Sequence, residues 1–423
     1  MMLQRIIPFF LCWLSTWHVV QGQENTEPRI IDPEITAVKM EGSSGWIVCN
    51  LNGGNIRLSF DHLGDELKNY AYTIVHCDSD WQPSELQDNE YIDGFVDDRI
   101  TDINVSQSTL RDYTSYALAL PNRNMRFTRS GNYLLKIMDD DNDRELVLLR
   151  RFMVTENAWP VHPVMVPVSN ASKLFSHQEI DFSVVHERFN INNPDREVKA
   201  FICQNMRWDR ILGPIAPRPF VQKAQRMSYD YQDSIVFPAG KEWRFFDIRS
   251  LDFRGAGVRS QYRDNNGWVA VLKPEQDRYE STGYGLVDDI DGQYHIENRT
   301  PSQDASQTEY VQVQFVLELN APYDDKDVYV FGELTDWQFK PEFKMEYDEP
   351  SHTYYCTPLL KQGYYNYAFV VVDHDTLLPS REDDLEGNWH ETGNTYTILT
   401  YYRPFGANYD RLMGVGRVNS KIK

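Results

Sequence analysis

His186-Glu187-Arg188-Phe189-Asn190 opens like the helix of a zinc protease, where two histidines four residues apart hold the metal and the glutamate between them activates water. Asn190 stands where the second histidine is required, and the string continues an alternating strand-like run, so a metal site is not expected there. Asp139-Asp140-Asp141-Asn142-Asp143 could offer alternate carboxylates to Ca²⁺. Arg144 and Arg150 occupy the positions where a calcium loop of the helix–loop–helix type carries glycine and glutamate, which leaves a solvated hairpin tip as the better expectation. Asp288-Asp289-Ile290-Asp291-Gly292 reads the same way. Gly42-Ser43-Ser44-Gly45 lacks the spacing of a nucleophile elbow, and Gly283-Tyr284-Gly285 and Gly414-Val415-Gly416 lack the third glycine of a dinucleotide loop. Among 63 carboxylates some pairs must fall at glycosidase spacing by chance. The residues therefore predict no catalytic group, no bound metal, no cofactor and no small-molecule substrate, with a glycoside hydrolase as the enzyme-class rival.

The elements that would position any site read as strands. Ile56-Arg57-Leu58-Ser59-Phe60, Ile180-Asp181-Phe182-Ser183-Val184 and Val311-Gln312-Val313-Gln314-Phe315 alternate apolar and polar residues, and Asn52-Gly53-Gly54-Asn55 and Asn265-Asn266-Gly267 are turn clusters between such runs. Long helical periodicity is absent, and 13% aromatic residues, 25 of them Tyr, suit half-buried sheet surfaces. The predicted fold class is all-β, a tandem of β-sandwich domains of immunoglobulin-like type. Two seams suggest the divisions: Pro160, Pro163 and Pro167 stiffen a crossing after Val154, and the polar stretch Asn298 to Ser306 precedes the strand-like Tyr310 to Leu319. The expected domains are 24–156, 157–305 and 306–423.

Residues 1–22 have the order of a secretory signal peptide, with Arg5, the apolar run Ile6 to Leu14 and small residues near the end in Val20-Gln21-Gly22. That apolar run is short of the ~20 residues that cross a bilayer as a helix, so an N-terminal anchor is the weaker alternative and direct membrane insertion is not expected. Once the signal is removed, Cys49, Cys77, Cys203 and Cys356 remain, each in a strand-like run. They read as buried thiols, with a Cys49 to Cys77 bridge as the alternative. The 42 basic and 63 acidic side chains give a net charge of −21, which argues against nucleic acid and against anionic lipid as partners.

Two resemblances sharpen the reading. Val328-Tyr329-Val330-Phe331-Gly332, Leu334-Thr335-Asp336-Trp337 and Gly363-Tyr364-Tyr365-Asn366-Tyr367-Ala368-Phe369-Val370 are similar to the early-set β-sandwich of glycogen-binding domains. That resemblance implies an early-set-like fold for the last quarter, and under a glycan-binding alternative Trp337 would stack on a sugar ring; a Trp plugging the sandwich edge is the better expectation, since such a Trp is mostly buried. Ile74-Val75-His76-Cys77-Asp78-Ser79-Asp80-Trp81-Gln82-Pro83-Ser84, Glu90-Tyr91-Ile92-Asp93-Gly94-Phe95, Gln204-Asn205-Met206-Arg207-Trp208-Asp209 and Tyr401-Tyr402-Arg403-Pro404-Phe405-Gly406 together resemble the type IX secretion system plug protein family of Bacteroidota, over nearly the whole mature chain. The resemblance implies a periplasmic, non-enzymatic protein at the inner face of the outer membrane. Its partner would be the large outer-membrane translocon barrel, whose empty pore it would close from the periplasmic side. The alternative is a glycan-binding accessory protein of a polysaccharide-uptake system. The string Trp81 to Phe95 reads as a long ordered loop that either binds the partner, through Trp81, Tyr91 and Phe95, or caps the sandwich end.

Overall fold

The structure is a computed structural model that describes residues 25–42, 47–187, 189–219, 225–281, 289–299, 304–374, 379–381 and 385–421. The signal peptide, the Gly283-Tyr284-Gly285 string, Asp288, most of Gly42-Ser43-Ser44-Gly45 and part of the Asn298 to Ser306 seam lie outside the described residues.

Strands between residues 29 and 155 pair among themselves into a separate two-stranded pair, Ile92–Gly94 with Met125–Phe127, and into two facing sheets. One joins Glu145–Thr155, Gly131–Asp139 and Tyr70–Cys77; the other joins Ile35–Gly42, Ile56–Leu63, Tyr113–Leu120 and Asp102–Val105. Alternation decides what fills the space between them. Ile56, Leu58 and Phe60 point inward while Arg57 points to solvent, and Phe60 stacks on Tyr116 at 5.2 Å and meets Tyr70 edge-on at 5.4 Å. Burying each such ring is worth about 1.5–3 kcal/mol. Glu145–Thr155 does not alternate, because both its faces are covered: Leu148, Phe152 and Val154 face this core, while Leu149 and Met153 face the second sandwich, against Leu399, Tyr401 and Leu412. Cys49 lies on the inner face and Cys77 on the outer one, and both are free thiols, like Cys203 and Cys356. Burial pushes the Cys49 and Cys356 thiols up to about 12. Asp140 to Arg144 form the hairpin tip between Gly131–Asp139 and Glu145–Thr155, where the Asp141 carboxylate accepts from the Asn69 backbone N–H at 2.9 Å.

The division at 305/306 needs correcting. Thr395–Tyr402 pairs with Val198–Gln204 and with Arg411–Asn419, so the last hairpin of the chain completes the second sandwich. That sheet faces Val161–Val166, His177–Val185 and Arg226–Tyr229 across a core of Trp159, Phe182, Ile202, Tyr229, Tyr396 and Ile398. The Pro-rich crossing is no free linker: Trp159 is fully buried and Val161–Val166 is a strand along His177–Val185. The third sandwich is inserted into the second. Its strands run from Arg244–Asp247 to Pro379–Arg381 and include Val258–Asp264, Gly267–Leu272 and Tyr294–Ile296 from before the predicted boundary. One continuous sheet curls over itself, so Phe246 at one end of the strand path meets Phe315 near the other at 5.4 Å. Long-range burial, which a polar stretch in the sequence does not report, sets these borders. The molecule is nearly all β, a tandem of β-sandwiches.

Candidate functional site

After Tyr70–Cys77 the chain turns sharply, with Trp81 in the left-handed region at φ 67° and its N–H bonded to Asp78 O. Trp81 is 8% exposed and meets Trp208 of the second sandwich edge-on at 5.0 Å, with the Arg151 guanidinium over its ring at 4.6 Å and bidentate to Glu27. Tyr91 ends the short helix Asp88–Tyr91, started by a capping box between Gln87 and Glu90. It is 2% exposed, and its hydroxyl donates to Asp88 Oδ1 at 2.6 Å; burial pushes its phenol well up. Gly94 follows at φ +121°, where a Cβ would lie 2.1 Å from Asn124 O, so only glycine fits this turn. Phe95, whose N–H donates to that same oxygen, is 61% exposed, beside exposed Val96. Of the three predicted contact residues, Trp81 and Tyr91 are therefore spent on internal packing, and Phe95 alone faces solvent.

A second loop, from Arg403 to Asp410 in the last hairpin, lies against the first. Arg403 donates to Asp78 Oδ2 at 2.9 Å and to Ala407 O at 3.2 Å, and Ala407 N–H bonds to Pro404 O. At the crest Phe405 is 99% exposed, followed by Gly406 at φ +85°. The two loops meet at His76, whose ring packs on Tyr91 at 5.6 Å, Tyr133 at 5.0 Å and Tyr409 at 5.4 Å. Its nitrogens are bonded to Ser84 Oγ and Ser130 O, and burial lowers it to about 4, so it is a neutral structural hub near pH 7. Asp410 accepts from Ser79 N–H, Ser79 Oγ and Lys199 Nζ. Burial alone would raise it, but the Ser79 hydrogen bonds and then Lys199 outweigh that and hold it below the usual range. The prediction passed over Phe405, although the Pro-Phe-Gly order between two strands was the signal that could have found it.

All three sandwiches meet at the turn Gln204 to Arg210, where Asn205 and Met206 both have positive φ, 53° and 55°. Such a pair turns the chain tightly at a cost of about 1 kcal/mol or more for Met206. The turn sends Trp208 toward the first sandwich and Arg207 toward the third, where its guanidinium lies 5.0 Å from Trp337, 5.2 Å from Phe331 and 5.9 Å from Trp243. Clefts of about 520 and 490 Å³ flank Trp337. Trp337 is half-buried, edge-on to Trp243 at 5.6 Å, and a Cβ on Gly292 would come within 2.7 Å of both rings. Arg207 thus already lies against the ring that a sugar would need. Asp289 and Asp291 are not in a solvated turn as expected: Asp289 accepts from the Trp243 N–H and Asp291 from Thr395 Oγ1. Burial first, then the charge of Glu242, raises them to about 7 and about 6. His186 does not begin a helix; it is buried just after His177–Val185 with Nδ1 3.3 Å from Phe189 O. Among the described residues no group of three His, Cys, Asp or Glu side chains could hold a metal ion. What this arrangement does chemically is bind its own parts together and present two aromatic side chains.

Residues 35–156 match the family model described as the type 9 secretion system plug protein 1st domain. A crystal structure of a hypothetical protein from Parabacteroides merdae ATCC 43184 is similar with 30% identity and a TM-score of 0.85, covering 93% of this chain and 98% of that one. A biofilm associated protein BSP domain, 7% identical over 94% of this chain and 61% of its own, has a TM-score of 0.17, too low to carry an argument. No curated protein matches the chain. A plug-domain match on the first sandwich, joined to a 30% identical relative of the same architecture from end to end, shows that the chain belongs to the type 9 secretion system plug protein family.

Proposed function

We propose that this protein is an exported, non-enzymatic periplasmic plug. It binds the outer-membrane translocon barrel of the type IX secretion system and closes the periplasmic side of the pore while no cargo occupies it. The match of residues 35–156 to the plug domain supports this most. The architecture suits the task, because an obstruction needs bulk and stiffness rather than chemistry. The first and second sandwiches share the cluster of Leu149, Met153, Leu399, Tyr401 and Leu412, and the first and third are pinned by Asp61–Lys361 at 2.5 Å and Arg150–Asp336 at 3.1 Å. A net charge of −21 would steer the protein toward a basic pore mouth, with association slowing as salt rises. A plug must also leave, which fits a moderate, partly polar interface.

Affinity purification of the protein from its own cells, followed by mass spectrometry, should recover a very large barrel protein. Deleting its gene should raise uptake of a large hydrophilic solute when the cargo carriers are also missing. Unchanged permeability in that double loss, with no barrel recovered, refutes the reading.

A further inference from the structure

Among the described residues near the first sandwich, the two most exposed aromatic side chains, Phe95 and Phe405, lie on loops that both reach the His76 hub. Phe95 follows the helix that ends at Tyr91, and Phe405 rides on the loop that ends at Tyr409; Tyr91 and Tyr409 both pack on the His76 ring, at 5.6 and 5.4 Å. Neither phenylalanine is adrift. Phe95 is fixed by its N–H bond to Asn124 O after Gly94, and Phe405 by the turn that Arg403 ties to Asp78. An exposed Phe forgoes the burial that usually places it inside, and a rigid mount removes most of the ordering cost of docking it. Exposed aromatic anchors on ordered loops are what carry binding energy at protein interfaces.

The surroundings say what kind of surface fits. Residues 80–97 contain Asp80, Glu85, Asp88, Glu90, Asp93 and Asp97 and no Lys or Arg. Two of the six have basic neighbours from elsewhere, Asp93 with Arg126 at 3.7 Å and Asp97 with Arg144 at 3.1 Å. The geometry points to a docking surface made by residues 80–97 and 403–409, with Phe95 and Phe405 as anchors, that takes a protein face offering apolar sockets inside a basic rim. This rests on the plug reading, which makes that face part of the periplasmic mouth of the translocon barrel.

The test compares full-length wild type with Phe95→Ser, Phe405→Ser and the double variant, each purified from native cells with the co-purifying barrel quantified. Phe253→Ser is the control, since Phe253 is 78% exposed but lies in the third sandwich. The double variant should recover about tenfold less barrel or lower still, and Phe253→Ser the wild-type amount, with melting temperatures unchanged throughout. Glu85→Lys with Asp93→Lys should slow association and flatten its dependence on salt. Equal recovery by wild type and double variant overturns this inference and leaves the plug reading standing. No barrel recovered by wild type overturns both. A dimer of purified wild type that the double variant cannot form overturns it too, by assigning the surface to a second copy of the chain.

Discussion

Replacing Asp61 with Ala should destabilise the molecule strongly, because it strands a buried cation between two sandwiches. Asp61 and Lys361 have side chains only 5% and 7% exposed and lie 2.5 Å apart. The Asp61 carboxylate also accepts from Tyr310 Oη at 2.7 Å and Ser115 Oγ at 2.6 Å, and the Lys361 ammonium sits 4.0 Å from the centre of the Tyr113 ring. Removing one partner of such a pair costs about 3–5 kcal/mol, mostly as the penalty of the charge left behind. If the three sandwiches melt together, as a unit of about 400 residues, that is a fall in melting temperature of roughly 4–6 °C. Differential scanning calorimetry at neutral pH reads it. The triple change Asp61→Leu, Lys361→Met and Tyr310→Phe removes the charges and the hydroxyl together and should recover most of the loss. A fall under about 1 kcal/mol in the single variant, or a triple variant no better than the single, would show that solvent reaches the pair and that the first and third sandwiches are not pinned there.

Gly94→Ala should cost about 1–3 kcal/mol, since φ +121° is strained for alanine and its Cβ meets Asn124 O, and the midpoint of urea unfolding measures it. Asp289 and Asp291 carry raised values, about 7 and about 6, so the folded state keeps protons that the unfolded chain has already released; stability should fall as pH rises from about 4 through 7, and Asp289→Asn should flatten that slope in thermal melts. Limited proteolysis should leave 157–167 uncut, because Trp159 is buried and Val161–Val166 is paired; early cleavage there by mass mapping would contradict the pairing.

The all-β class was legible because it is written locally. Ile56, Leu58 and Phe60 alternate whatever else the chain does, and the unbroken apolar run Val147-Leu148-Leu149 marks a strand covered on both faces. Borders were not legible, because Thr395–Tyr402 finds Val198–Gln204 across the whole inserted sandwich and no local pattern encodes that choice. The site shows the same limit residue by residue. Trp81 and Phe95 look alike in a loop; what separates them is Trp208 and Arg151, supplied by other segments to one and not to the other. Asp289 and Asp291 read as solvated because the Trp243 N–H and the Thr395 hydroxyl that donate to them lie far along the chain.

The insertion has a mechanical consequence. Since the chain leaves the second sandwich, builds the third and returns, the hairpin from Thr395 to Asn419 closes the second core through Tyr396 and Ile398, covers the first sandwich through Leu399, Tyr401 and Leu412, and carries Phe405. One element thus holds two interfaces and one fully exposed phenylalanine. The loop that carries Phe405 is tied at both ends, through Arg403 to Asp78 and through Asp410 to Ser79 of the first sandwich and Lys199 of the second. On the proposed plug role such wiring would matter, because a side chain offered to a pore wall could then not yield without the two sandwiches behind it moving too.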